Sequence, residues 1–226
     1  MFFHPMDFLI LIAFGISIWA QFRVKGTFNQ FANVQASSGL TGYEAARRLL
    51  DAQGLYDVPV EPVRGHLSDH YDPIQKVVRL SEPVYYERSI SALSVACHEV
   101  GHAIQDQESY AMLRLRHRMF PLVNISSGVA PFLLIGGFLF QASGLILLGI
   151  IFFSAAVAFQ LVTLPVEFNA SSRARDLMIS EGFIRNDEEQ GVSKVLNAAA
   201  LTYVAAALIS LLELIKYVMI FRSQDN

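Results

Sequence analysis

Cysteine is almost missing from this chain. Its single thiol, Cys97, excludes an intramolecular disulfide and argues against a structural zinc site built on cysteines. Charge is sparse too: Asp, Glu, Lys and Arg make up 16% of the 226 residues, against roughly 25% in soluble domains. Neither sign dominates, and a net charge of -3 argues against a nucleic-acid binder, which would carry a clustered basic face. What is plentiful is apolar side chain, at 53%.

Most of it lies in four runs, at residues 8–22, 121–140, 143–164 and 196–221. A span needs about 20 apolar residues. The first run is short, but residues 1–7 can extend it into the headgroups, leaving His4 outside. It does not read as a signal peptide, because Asp7 and no basic cluster precedes it and no A-x-A site follows. In the fourth run Glu213 and Lys216 stand as i,i+3 partners near an interface, among small residues suited to close helix packing. Basic residues set the orientation. Arg23 and Lys25 follow the first run, Arg114, Arg116 and Arg118 precede the second, and Arg173 and Arg175 follow the third. The positive-inside rule then puts residues 23–118 and 166–195 in the cytoplasm and both termini outside, with Lys216 and Arg222 weakly opposed.

The expected fold class is a mainly α membrane protein: about four transmembrane helices plus a small α+β cytoplasmic part with a short β-ribbon. The division runs as 1–25, first span; 26–118, cytoplasmic region; 119–165, transmembrane hairpin; 166–195, second cytoplasmic segment; 196–226, fourth span and tail. Residues 26–40 read either as a short interfacial helix or as a plain linker. "TGYEAARRLLDAQG" opens with Thr41 and Glu44 at capping-box spacing and closes at Gly54, which predicts a helix with one buried stripe. "VPVEPV" and "KVVRLS" predict two short strands in a β-ribbon, the first confined to an edge by its prolines. Between them "GHLSDHYDPIQ" reads as turn. Residues 88–107 predict a helix, with Ile90, Leu93, Ala96, Val100 and Ile104 at three- and four-residue steps.

That helix carries "HEVGH". Positions i and i+4 share a helix face, so His98 and His102 can close on one Zn²⁺, each at about 2.0–2.1 Å. Glu99 sits beside them, able to reach a metal-bound water without ligating. This is the H-E-x-x-H zincin pattern. A catalytic zinc keeps three protein ligands, and Glu167 is the best third, because "LPVEFNASSRARD" returns to the cytoplasmic face there. Gln160 and Thr163 share its face if the helix continues. Cys97 reads as packing, with no base paired to it.

The chain resembles the YugP-type bacterial membrane zinc metallopeptidases. "SGLTGYEAARRLL", "GHLSDHYDP", "VACHEVGHAIQ", "LPVEFNASSRA" and "LNAAALTYVAAAL" carry the likeness over nearly the whole length. More distantly it resembles HtpX and the CaaX prenyl proteases, which place H-E-x-x-H between spans and take a later glutamate from an E-x-x-A segment. The resemblance implies His98, His102 and Glu167 as zinc ligands and Glu99 as catalytic base, in a gluzincin-like peptidase of the inner membrane acting on peptide or membrane-protein substrates. Zincins of this kind often carry an Asp four residues after the glutamate; here that position is Ser171. Ser171, Asn169 and Asp106 are the candidates to orient the ligand histidines. Arg175, His70 and Tyr71 are the candidates for a second oxyanion donor. The rival reading is a non-proteolytic zinc-containing membrane scaffold.

Overall fold

Thr41 starts a helix because its side chain replaces a partner that the first turn lacks. Thr41 Oγ1 accepts the Glu44 N–H at 3.1 Å, and Glu44 accepts the Thr41 N–H at 2.8 Å, closing the expected capping box. In the computed structural model, which describes residues 5–224, this helix is α2 (Gly42–Ala52). It buries Ala45, Ala46, Leu49 and Leu50. Gly54, at φ +73°, ends it: the Leu55 N–H bonds Leu50 O and the Gly54 N–H bonds Asp51 O, a Schellman closure that needs a left-handed residue.

The remaining elements are α1 (Pro5–Ala32), β1 (Val60–Val63), β2 (His70–Asp72), β3 (Val77–Ser81), α3 (Glu82–Tyr86), α4 (Ile90–Gln107), α5 (Ala111–Leu139), α6 (Ser143–Ser180) and α7 (Glu189–Gln224). The chain is mainly helical. Four of its helices (α1, α5, α6 and α7) are long and apolar enough to cross a membrane. Each outruns the apolar run that predicted it. Residues 26–32 are neither a separate interfacial helix nor a linker, since α1 continues through Ala32. The helix of α6 continues past Pro165 to Ser180, and at 1.5 Å per residue it is about 57 Å long against a hydrocarbon core of about 30 Å. The placement of His4 falls outside the described residues.

Strands form a three-stranded sheet in the order β1-β3-β2, β1 parallel and β2 antiparallel to β3. The expected two-stranded ribbon is therefore incomplete: β2 lies inside the stretch read as turn. Proline-bearing β1 is at an edge, as expected. β3, the centre, buries Val77, Val78 and Leu80.

The described residues form two compact units. One comprises residues up to Ala20, Ala111–Pro165 and Thr202 onward. Its hairpin of α5 and α6 is tight at glycine: a Cβ on Gly137 would lie 2.8 Å from Ile146 N, the close approach that small residues permit in membrane bundles. In the same unit Lys216 pairs with Asp7 of α1. The ion pair formed by Lys216 thus reaches another helix and not the expected Glu213.

The other unit comprises Gln21–Tyr110 and Val166–Leu201. Leu49, Leu50, Val78, Leu80, Val84, Leu93, Val100 and Met178 form its core, fully buried. Burying each leucine stabilises the fold by about 1.5–3 kcal/mol. Glu188 ties its loops together, accepting the Ser37 N–H at 2.7 Å, the Ser37 hydroxyl at 2.6 Å and the Arg185 N–H at 2.8 Å. Burial raises the Glu188 pKa, but these bonds outweigh it and hold the carboxyl below its usual range. A depressed carboxylate pKa stabilises the fold above the unfolded-chain pKa, and that stability is lost as pH falls through the folded value. Glu188→Gln should therefore lower the melting temperature at pH 7, and the gap to wild type should narrow as pH falls below the usual carboxylate range, measured by thermal unfolding in detergent.

Candidate metal centre

Helix α4 runs through the core of the second unit, with a Ser89 cap accepting the Ala92 N–H and burial on most sides. It carries His98, Glu99 and His102, the two histidines one turn apart as the spacing required. The part of α6 in the same unit, from Val166 onward, brings Glu167. Its Oε2 lies 3.3 Å from His98 Nε2 and 3.5 Å from His102 Nε2. The three donor atoms lie within 4.8 Å of one another. Zn–N and Zn–O bonds of about 2.0–2.2 Å at tetrahedral angles set ligand atoms roughly 3.3–3.6 Å apart. Both Glu167 distances match that spacing, and two imidazoles with a carboxylate are a donor set that suits the ion. Glu167 and His102 are 2% and 9% exposed, so water competes poorly for them.

Glu99 is buried as well. Burial pushes its carboxyl up, the Glu167 and Asp69 charges add to the rise, and the two imidazoles oppose it. For His102, burial disfavours the charged ring, but the bond and charge from Glu167 and the charge of Glu99 outweigh it and raise the pKa.

The far nitrogens of both rings are held. Ser171 Oγ lies 3.1 Å from His98 Nδ1, and Gln105 Oε1 lies 3.0 Å from His102 Nδ1. Ser171 is therefore one of the orienting residues. Asn169 stands one step back, accepting from Gln105 Nε2 at 2.9 Å. Asp106 is engaged elsewhere, by the Tyr71 hydroxyl at 2.8 Å and by Lys76. Sequence reasoning missed Gln105. The signal was there: it stands three residues after His102, on the same helix face.

The three candidate oxyanion donors fall in different settings. The Tyr71 hydroxyl donates to Asp106, and burial followed by that bond pushes its pKa up. His70 is exposed on β2, its Nδ1 2.8 Å from Ser68 O. Arg175 approaches Asp176 at 3.4 Å, while its Nε is buried without a hydrogen-bond partner. It lines a cavity of about 140 Å³ with Phe168, Ser171, Ser172, Ser193 and Asn197. Cys97 is fully buried, and burial pushes its thiol up, which suits packing.

Helices α4 and α6 meet at Gly101. A Cβ there would lie 2.7 Å from Ala170 O and 3.2 Å from Ala170 Cα, closer than backbone tolerates. Gly101→Ala should force the ligand-bearing helices apart. The expected cost is about 1–3 kcal/mol of stability, read as a lower melting temperature in the metal-free protein, with zinc affinity falling alongside.

A family model described as "Putative neutral zinc metallopeptidase" matches residues 6–222. "Putative membrane protease YugP" of Bacillus subtilis (strain 168) is 69% identical over 214 residues, 95% of each chain. No solved structure matches the chain significantly. The donor set and the family's metal agree: the cofactor is zinc.

Proposed function

The chain belongs to the neutral zinc metallopeptidase family, and on that footing we propose that it is a membrane-embedded zinc metalloendopeptidase, gluzincin-like in its zinc site. The observation that carries this reading is the convergence of His98 Nε2, His102 Nε2 and Glu167 Oε2 beside a buried Glu99. His98, His102 and Glu167 hold the ion. When bound, zinc supplies Lewis acidity, lowering the pKa of a water toward about 7 and polarising a carbonyl. Glu99 is the general base and then the acid. Its carboxylate takes the proton of the attacking water and delivers it to the leaving amine.

A tetrahedral oxyanion also needs hydrogen-bond donors. Of Arg175, His70 and Tyr71, Arg175 is favoured by its buried, unpartnered Nε. Tyr71 would first have to leave Asp106. An extended substrate would add to a sheet edge, which reads backbone more than side chain. The proline-marked β1 is such an edge.

We place residues 26–118 and 166–195 on the cytoplasmic side of the plasma membrane, by the arginine distribution, with the first span in 1–25, the hairpin in 119–165 and the fourth span with its tail in 196–226. The grouping of Gln21–Tyr110 with Val166–Leu201 supports that division. Turnover of membrane proteins is the role this topology suits.

The test is metal removal from the purified protein in detergent. It should carry one zinc per chain and cleave casein or a transmembrane substrate, lose cleavage on chelation and regain it with added zinc. A fully zinc-loaded protein that cleaves neither would sink the peptidase reading and favour the zinc-containing scaffold. In the same assay Arg175→Ala should lower kcat by about 10²-fold with KM little changed, as loss of an oxyanion donor does.

A further inference from the structure

We propose that Gln105 is the positioning residue of the zinc site: its amide fixes the proton of His102 on Nδ1 and keeps Nε2 open toward Glu167. This rests on the reading of His102 as a zinc ligand.

The direction of the Gln105 amide follows from two neighbours whose roles cannot invert. Gln105 Nε2 lies 2.8 Å from the backbone carbonyl of Val166, which can only accept. It also lies 2.9 Å from Asn169 Oδ1. That oxygen is identified in turn by Arg173, whose Nε–H donates to it at 2.8 Å and can only donate. Both Gln105 N–H groups are thereby committed, and its Oε1 faces His102 Nδ1 at 3.0 Å. An oxygen there requires Nδ1 to be the N–H. In a neutral imidazole the lone pair is then on Nε2, the atom 3.5 Å from Glu167.

Gln105 has a competitor in this. Glu167 is a carboxylate facing Nε2, and without another influence it would draw the imidazole proton onto Nε2, the position that must be vacant for a metal. Gln105 pulls the other way. Because it is fully buried and its donors engage Val166 and Asn169 on α6, the same amide also ties the helix of His98 and His102 to the helix of Glu167. The anchor extends outward through Arg173, which pairs with Glu108 at 2.6 Å. His98 has a weaker hold. Ser171 can either accept from or donate to Nδ1, so its hydroxyl alone does not choose a tautomer. An asymmetry between the two histidines follows: His102 is fixed in advance of the ion, and His98 adapts.

The experiment is nitrogen NMR of histidine-labelled, metal-free protein in detergent, at a pH where the imidazoles are neutral, with the His102 signals assigned by their loss in His102→Gln. Wild type should show His102 protonated at Nδ1. Gln105→Met keeps the volume and removes the amide; it should move the His102 proton to Nε2 in most molecules. Zinc affinity, measured with a competing chelator, should fall by about 10–100-fold, the range seen when a partner of a metal-ligating histidine is lost. Gln105→Glu keeps an acceptor for Nδ1 and should retain the wild-type tautomer. A Gln105→Met protein with His102 still protonated at Nδ1 would overturn the inference. So would a Gln105→Glu protein with the proton on Nε2, which keeps the inference testable if the Met variant fails to fold. The tautomer is read without metal or substrate. Failure to cleave any peptide would remove the peptidase reading and leave this result standing; zinc binding unaffected by loss of His102 would remove the ligand assignment instead.

Discussion

Glu99→Gln is expected to abolish peptide hydrolysis while leaving one zinc per chain. The side chain is adjacent to a ligand but is not among the three converging donors. Its loss should leave the metal's affinity within a few-fold of wild type. What disappears is the acceptor for the water proton. A glutamine amide has nearly the same shape and cannot take that proton, so both the attack and the departure of the amine are left unassisted. General acid–base catalysis contributes about 10²–10⁴ in rate. Here one group serves both steps, and we expect the upper end or beyond. The measurement is single-turnover cleavage with metal analysis of the same sample. A Glu99→Gln protein that cleaves at more than about a tenth of the wild-type rate would require a different base. A scaffold that uses zinc only for structure predicts that this variant functions fully.

The second large effect has the opposite signature. Glu167→Gln should lose the metal, and the rate with it. The carboxylate is 2% exposed and lies between two Nε2 atoms at 3.3 and 3.5 Å. An amide carbonyl in its place carries no formal charge and leaves an N–H₂ group crowded against imidazoles that must present lone pairs. Zinc affinity should fall by well over a hundredfold, beyond the 10–100-fold of an outer partner. Excess zinc should restore part of the activity, because Glu99 is untouched. Zinc addition should do nothing for Glu99→Gln. The pair of variants separates holding the metal from moving the proton, and unchanged affinity in Glu167→Gln would send the search for a third ligand elsewhere.

Much of this was legible because helices advertise themselves through periodicity. The capping box at Thr41, the stripe ending at Gly54 and the three- and four-residue steps around His98 all became helices within about two residues of expectation. The meeting of Glu167 with the histidines was legible too, though only through the expected topology, in which two apolar runs precede the glutamate. What failed did so for local reasons. β2 is three residues long, flanked by turn residues, and too short to show alternation. α3 is one turn and a half, opened by a proline, and has no period to detect. The partner of Lys216 lies 209 positions away on α1, and no spacing rule reaches that far. Gln105 was overlooked because glutamine carries no charge. Its role depends on which way an amide faces, and only the neighbours on another helix decide that.

At Gly101 nothing but hydrogen separates α4 from the backbone of α6. The backbones of the two helices therefore meet main chain against main chain, closer than any side chain at this position would allow. On that close seam the converging donors are two imidazoles and one carboxylate, which suit a cation that takes few ligands, whereas calcium, with six to eight oxygen ligands, demands donors of another kind and number. Cobalt(II), which like zinc accepts imidazole and carboxylate, should enter where calcium does not, and its visible absorption would report the coordination directly.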